Sequence, residues 1–308
     1  MRIFRTPGEF TSASRPVCLA IGVFDGVHLG HQAVLRQTVS DARQAHGNAV
    51  AITFDVHPSS VVAPARTPAQ ICSLNQKLRM IEALGVDAVW LIHFDRQFSQ
   101  QPAEDFARGL ARSFAPLHSL DVGSEFTFGC GRRGNLALLQ QLGEELHFSV
   151  RGLPPVEWEG QPISSTRIRQ AIRAGDLELA GHMLGRPYSF AGAVIAGDGA
   201  GRSIGFPTAN LDVTALALPP IGVYAARVHL EGRAFQAVLN IGHRPTLRQP
   251  APQLRVEAHL LDFAEDSYGR ELEVAPLVRL RDERQFPSLA GLRQQIQQDI
   301  ARARQLFG

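Results

Sequence analysis

The chain has 308 residues, 44% of them hydrophobic and 19% charged, with a formal net charge of +2. That length suits two hydrophobic cores better than one, and a near-neutral balance with no basic run argues against a nucleic-acid surface. Cys18, Cys72 and Cys130 form no C-x-x-C pair, Met1 to Glu9 holds no signal-peptide core, and no apolar span has membrane length. The expectation is therefore a cytoplasmic, two-domain protein without membrane partners.

In chain order, Cys18 to Val23 is an apolar run of strand length, and Leu35, Val39 and Ala42 fall at helical spacing from near Gly30. His28 and His31 thus sit at a strand-to-helix turn, where free N–H groups and the helix dipole attract anions. The pair could also be core or surface residues, or half of a zinc site. Against the last, no Cys pair or further His stands nearby at ligand spacing. The His-x-Gly-His spacing resembles that of the nucleotidyltransferases, which implies nucleotide transfer from ATP onto an anionic acceptor.

Strands follow at Ala49 to Phe54, Val86 to Phe94, Leu117 to Val122 and Phe148 to Leu153. Between them, Ser73 to Gln76 has capping-box form and opens a helix ending at Gly85, and further helices span Pro102 to Phe114 and Asn135 to Leu146. The alternation predicts an α/β unit, a Rossmann-like parallel sheet with helices on both faces and ligands beyond the strands' carboxyl ends. The loop Gly123 to Gly129, with Glu125, lies at that edge. Lys77 is the single lysine among basic residues otherwise all arginine, which reads as composition bias. Ser164, Ser165 and Thr166 then cap a helix carrying Arg167 and Arg169, a combination suited to gripping phosphates.

After a short helix at Leu177 to Leu184 and a break at Gly185-Arg186-Pro187, the pattern changes to strands with tight turns. Strands are expected through Tyr224 to Leu230, Phe235 to Ile241, Leu254 to Leu261 and Leu272 to Leu280, with Pro276 marking a bulge or edge. Leu289, Leu292, Ile296, Ile300, Ala303 and Phe307 share one face of a closing helix. A small antiparallel β-barrel with a C-terminal helix follows. The glycine-rich stretch Gly197, Gly201 and Gly205 lets backbone N–H groups approach phosphate, although glycine loops are more commonly mere turns. Thr208 and Asn210 directly after it offer hard oxygen ligands suited to Mg²⁺. Glu257 in a later strand is a candidate proton acceptor for an alcohol substrate.

Together these segments resemble the bacterial bifunctional riboflavin kinase/FAD synthetase family over nearly the whole chain. The resemblance rests on Gly22 to His31, Phe128 to Gly134, Ile163 to Arg169, Leu184 to Tyr188, Gly205 to Asn210 and Asn240 to Thr246. It implies an FMN adenylyltransferase domain at 1–184 and a riboflavin kinase domain at 185–308. The substrates would be riboflavin, FMN and ATP, the products FMN and FAD, and the metal Mg²⁺; any homo-oligomer would be weak. In the first domain it implies His28 and His31 as catalytic, Gly22, Phe24, Asp25, Gly30, Ser164, Thr166 and Arg167 at ATP, and Glu125 and Arg169 positioning flavin or nucleotide. In the second it implies Gly197, Gly201 and Gly205 at ATP, Thr208 and Asn210 on the metal, and Glu257 as base. Glu125, Val56 and Gln76 stand where family members usually carry Asp or Asn, Pro, and Glu. Of these, Glu125 and Val56 support one alternative, a flavin-binding or regulatory paralogue that keeps the kinase and has weakened or lost adenylylation. A cytidylyltransferase-like enzyme with an unrelated barrel is a third reading, which Gly205 to Asn210 opposes.

Overall fold

A computed structural model of the chain describes residues 1–12, 14–197, 200–243 and 254–307. It divides into two compact units, Met1–Gln70 with Leu74–Ile168 and Met183–Gly185, and Ile71–Ser73 with Arg169–His182 and Arg186–Gly308.

The first unit contains β1 (Arg2–Phe4), β2 (Val17–Ile21), α1 (Leu29–Gln44), β3 (Asn48–Phe54), α2 (Ser59–Val62), α3 (Leu74–Ala83), β4 (Ala88–Ile92), α4 (Ala103–Ser113), β5 (Leu117–Gly123), α5 (Leu136–Leu146) and β6 (Ser149–Leu153). A hairpin of β7 (Glu157–Trp158) and β8 (Gln161–Pro162) leads into α6 (Ser165–Ala174) and α7 (Leu177–Leu184). The sheet is ordered β1-β4-β3-β2-β5-β6 and is parallel throughout. The sequence pattern supplied five of its strands. The sixth, β1, has 3 residues, too few to carry a periodic signal.

Every residue of β2 is buried because both faces of the sheet are covered. Val17, Leu19 and Ile21 enter one core with Phe106, Leu110, Leu139 and Leu142 of α4 and α5. Cys18 and Ala20 point the opposite way, toward Leu35, Val39 and Ala42 of α1 and Ile81 of α3. The chain winds outward from β2 through β3 and β4, then returns to β5 on the other side of β2. The strand order therefore reverses between β2 and β5, and a crevice opens beyond their carboxyl ends.

The second unit is a closed antiparallel barrel ordered β10-β13-β12-β11-β14-β9. Its strands are β9 (Phe190–Ile195), β10 (Ala209–Leu211), β11 (Gly222–Leu230), β12 (Arg233–His243), β13 (Leu254–Leu260) and β14 (Glu271–Arg281); α8 (Ala200–Ser203) precedes β10 and α9 (Leu289–Phe307) closes the chain. Ala226, Val228, Ala237, Leu239, Ala258 and Val274 alternate along the strands and fill the interior. The outer face at Val223, Ala225, Val238 and Leu280 is covered by Ile300, Ala303 and Phe307 of α9. Asp299 of α9 is buried and receives the guanidinium of Arg281, Nη2 to Oδ2 at 2.8 Å. Leu289 departs from its expected place on the apolar face: it opens the first turn of α9 and is 67% exposed. Pro276 does mark a bulge, since Ala226 pairs with Pro276 and Ala225 with Val278, leaving Leu277 unmatched. The tail of the Asn240 to Thr246 motif, from Arg244, lies outside the described residues, as do Asp198 and Gly199.

Candidate active sites

In the first unit the chain leaves β2 through Gly22 and Val23 and reaches α1 by a single tight turn, Asp25–Val27. Phe24 has φ 52°, Gly26 φ 75° and Val27 φ 40°. Left-handed geometry at two residues with Cβ atoms costs on the order of 1–3 kcal/mol each, and persists only where the surroundings over-determine it. Here they do. Phe24 and Val27 are buried, a Cβ on Gly22 would meet the Phe24 ring at 2.8 Å, and the Gln32 amide donates to Val27 O and Leu184 O at 2.9 Å each.

The turn delivers His28 to the N-cap of α1. Its Nδ1 accepts the His31 N–H at 3.3 Å, so in the neutral ring Nε2 carries the proton and is a donor. The His28 and His31 rings stack with centroids 3.6 Å apart, and His31 meets the edge of Phe24. Gly30 lies beneath the His28 ring, where a Cβ would approach Cε1 at 3.2 Å. Two imidazoles and the free N–H groups of a helix start thus converge on one small region.

The start of α6 meets the same turn. Ser165 Oγ donates to Asp25 O at 3.3 Å, and Ser164 Oγ caps the helix by accepting Arg167 N–H at 3.2 Å. Asp25 is buried, and Thr166 is exposed. Arg167 donates from Nη1 to Trp158 O at 3.0 Å and Gln161 O at 3.1 Å, bracing the β7–β8 hairpin. Arg169, two residues on, projects from another face of the helix, is buried, and groups with the second unit. Glu125 is exposed in the loop after β5, across the strand-order reversal from the His28 turn.

Two carboxyl groups of this sheet have shifted pKa values. Asp121 of β5 is fully buried, and burial, with the nearby Asp41 charge, pushes its pKa up to about 6 against the Thr38 hydroxyl and Arg151. Arg151 sits 3.6 Å from Asp121 but 2.9 Å from Asp41, and is half exposed, so burial prevails. A protonated Asp121 can donate to Thr38 Oγ1 at 2.8 Å while Thr38 donates to Val34 O at 3.2 Å. At the end of β3, burial raises the Asp55 pKa, but His93 at 2.8 Å and the Phe94 N–H outweigh it and leave it lowered.

One residue missed by the sequence pattern belongs here. Lys77 of α3 is buried, and its Nζ donates to Phe54 O at 2.8 Å and to Val23 O and Thr53 Oγ1 at 3.3 Å. The chain's single lysine thus sits at the strand ends. No local pattern could have signalled it, because its acceptors lie 23 to 54 residues upstream.

In the second unit the strand register makes the site. Asn210 of β10 pairs with Glu257 of β13, which on its other side pairs with Asn240 of β12. The three side chains form a row on the outer face, with neighbouring Cβ atoms about 5 Å apart. Glu257 Oε1 is 3.2 Å from Arg255 Nη1 and the carboxylate is 25% exposed. Thr208 precedes β10 by one residue, so extended backbone turns it to the side of Asn210. A Cβ on Gly197 would collide with the Asn210 amide, and one on Gly201 would collide with Phe206 O and approach Thr208 Oγ1 at 3.1 Å. Gly205 has φ +87°. His259, facing the same way as Glu257, donates from Nδ1 to Pro207 O at 2.7 Å and packs edge-on to Phe206. His259 and Asn240 were not singled out as site residues, although the i, i+2 spacing from Glu257 places His259 on its face.

A donor-rich turn at a sheet's carboxyl edge and a hydroxyl–amide–carboxylate row on a barrel are two separate provisions for phosphate chemistry. Such a pair suits a nucleotide-dependent transferase with two sites. Comparison with known proteins narrows the class. The FAD synthetase family model matches residues 10–167 and the riboflavin kinase model residues 184–307. The bifunctional riboflavin kinase/FMN adenylyltransferase of Escherichia coli strain K12 is 38% identical over 310 residues, spanning 100% of this chain and 98% of that protein. The Bacillus subtilis protein of the same description is 34% identical, over 94% of this chain and 92% of its own. A crystal structure from Streptococcus pneumoniae described as a macrolide-efflux protein superposes with a TM-score of 0.82 at 31% identity, covering 98% of each chain. The chain belongs to the bifunctional riboflavin kinase/FMN adenylyltransferase family and carries both activities. The paralogue lacking adenylylation gains no support, since the FAD synthetase match spans the whole first sheet after β1. Among the described residues no helix is long and apolar enough to cross a membrane.

Proposed function

We propose that the two activities divide at Leu184/Gly185, with FMN adenylylation before that point and riboflavin phosphorylation after it, in the cytoplasm. Any homo-oligomer would be weak. In the kinase, ATP phosphates lie against the backbone of Gly197, Gly201 and Gly205. The residues fit Mg²⁺: Thr208 and Asn210 are hard oxygen donors, and two adjacent glycines keep the space beside them clear of Cβ atoms. Bound there, the ion would neutralise developing charge on the phosphates. Glu257 accepts the proton of the ribityl hydroxyl as that oxygen bonds to the γ-phosphorus and the bond to ADP breaks. The register that sets Glu257 opposite Asn210 is the observation that carries this reading.

In the adenylyltransferase the nucleophile is a phosphate oxygen of FMN, already anionic near neutral pH. It attacks the α-phosphorus of ATP and pyrophosphate leaves. No base is required, only donors that spread charge on the phosphoryl group. His28 Nε2–H, His31, the α1 N-terminus, Ser164, Thr166 and Arg167 supply them, with Gly22, Phe24, Asp25 and Gly30 shaping the turn. Glu125 positions flavin or nucleotide, whereas Arg169 is buried and groups with the second unit. The test is chromatography of flavins after incubation with riboflavin, ATP and Mg²⁺, with and without chelator. FAD with metal and neither product without it fits the proposal; FMN or FAD formed at the same rate in chelator contradicts the metal assignment.

A further inference from the structure

Lys77 lies outside every segment that suggested the function, yet its ammonium closes the structure at the point where the adenylyl-transfer turn begins. Three acceptors converge on Nζ: Val23 O beyond β2, and Thr53 Oγ1 and Phe54 O at the end of β3. Thr53 Oγ1 itself donates to Val23 O at 3.0 Å, so this carbonyl receives two donors one residue before the left-handed Phe24. The helix bearing Lys77 also packs directly on Asp25–Val27. A tetrahedral ammonium serves three converging oxygens; the planar fork of a guanidinium does not. That geometry explains one lysine in a chain whose other basic residues are all arginine.

We propose that Lys77 is a positioning residue for adenylyl transfer. It ties the ends of β2 and β3 together and fixes the Val23 carbonyl, which holds the strained turn that aims His28 at phosphate. Lys77 itself touches no reacting atom. The proposal rests on the reading of the His28 turn as the adenylyl-transfer site.

Because the chain has a single lysine, full-length protein grown with ¹⁵N,¹³C-lysine gives one side-chain ammonium NMR signal. Addition of the unreactive analogue α,β-methylene-ATP with Mg²⁺ should shift or broaden that signal in the parent, and not in His28→Ala if the variant no longer binds the triphosphate. Lys77→Met should lower kcat for FMN adenylylation roughly 10- to 100-fold, with KM for ATP within about threefold and riboflavin phosphorylation unchanged. Lys77→Arg should restore little, whereas a merely space-filling role would be met by either substitution. Parental adenylylation in Lys77→Met, while His28→Ala has lost it, overturns the inference and leaves the site reading intact. Parental adenylylation in His28→Ala overturns both. If Lys77→Met is insoluble the NMR arm decides: a lysine signal indifferent to the analogue, at concentrations that inhibit adenylylation, refutes the proposal.

Discussion

On the proposed assignment, the His28 turn and the Thr208–Glu257 row handle phosphate with different chemistry. The first centres on donors: ring N–H groups and a helix N-terminus, around a backbone forced into left-handed geometry. The second is made of acceptors: a hydroxyl, two amides and a carboxylate in strand register, with glycines where side chains would intrude. The difference follows the nucleophile. A phosphate monoester arrives charged and needs only its repulsion relieved, while an alcohol must lose a proton as it reacts. Each arrangement is also built by the fold that suits it. A parallel sheet ends its strands at helix N-termini, and an antiparallel barrel sets side chains of adjacent strands directly opposite one another.

That contrast can be broken by substitution. Glu257→Ala should cut riboflavin phosphorylation by roughly 10²–10⁴-fold, since a general base contributes on that scale, and initial-rate assays with riboflavin would register it. His28→Ala should lower adenylylation by roughly 10²–10³-fold, the usual effect of losing a transition-state donor, measured as FAD formed from added FMN. Gly30→Ala separates geometry from folding. It leaves α1 with a good helix former in its first turn, but pushes a Cβ to within 3.2 Å of the His28 ring. Adenylylation should fall about 3- to 10-fold with riboflavin phosphorylation unchanged.

The smallest effect concerns stability alone. Asp121 binds its proton more tightly folded than unfolded, so the unfolding free energy declines as pH rises from about 3.8 to about 6. Above that window the ionised, buried carboxylate is a standing penalty on the order of 1–3 kcal/mol. Asp121→Asn keeps a donor for Thr38 Oγ1 and removes the penalty. Denaturant melts should find it more stable than the parent at pH 7 and matched to it near pH 4; a parent with flat stability from pH 4 to 6.5 contradicts the assignment.

Much of this was legible in the residue pattern, and what escaped it has physical causes. Runs such as Cys18 to Val23 announced a sheet buried on both faces, and the change of rhythm after Gly185 announced the barrel. The 3-residue strands β1 and β10 were silent because pairing partners, not their own composition, make them strands. Thr208 and Asn210 were readable as oxygen donors, but their place beside Glu257 comes from a register that pairs residue 210 with residue 257, far apart in the chain. Arg167 looked like a phosphate clamp from its neighbours in sequence; two carbonyls of the β7–β8 hairpin also claim it. Lys77 carried no signal at all, since a residue used once has no pattern.

The central claim is that each activity has its own pocket and its own chemistry. It is met most directly by assaying both reactions in both variants. Glu257→Ala given FMN should make FAD at the parental rate, and His28→Ala given riboflavin should make FMN at the parental rate. Loss of both reactions together in either folded variant would contradict it.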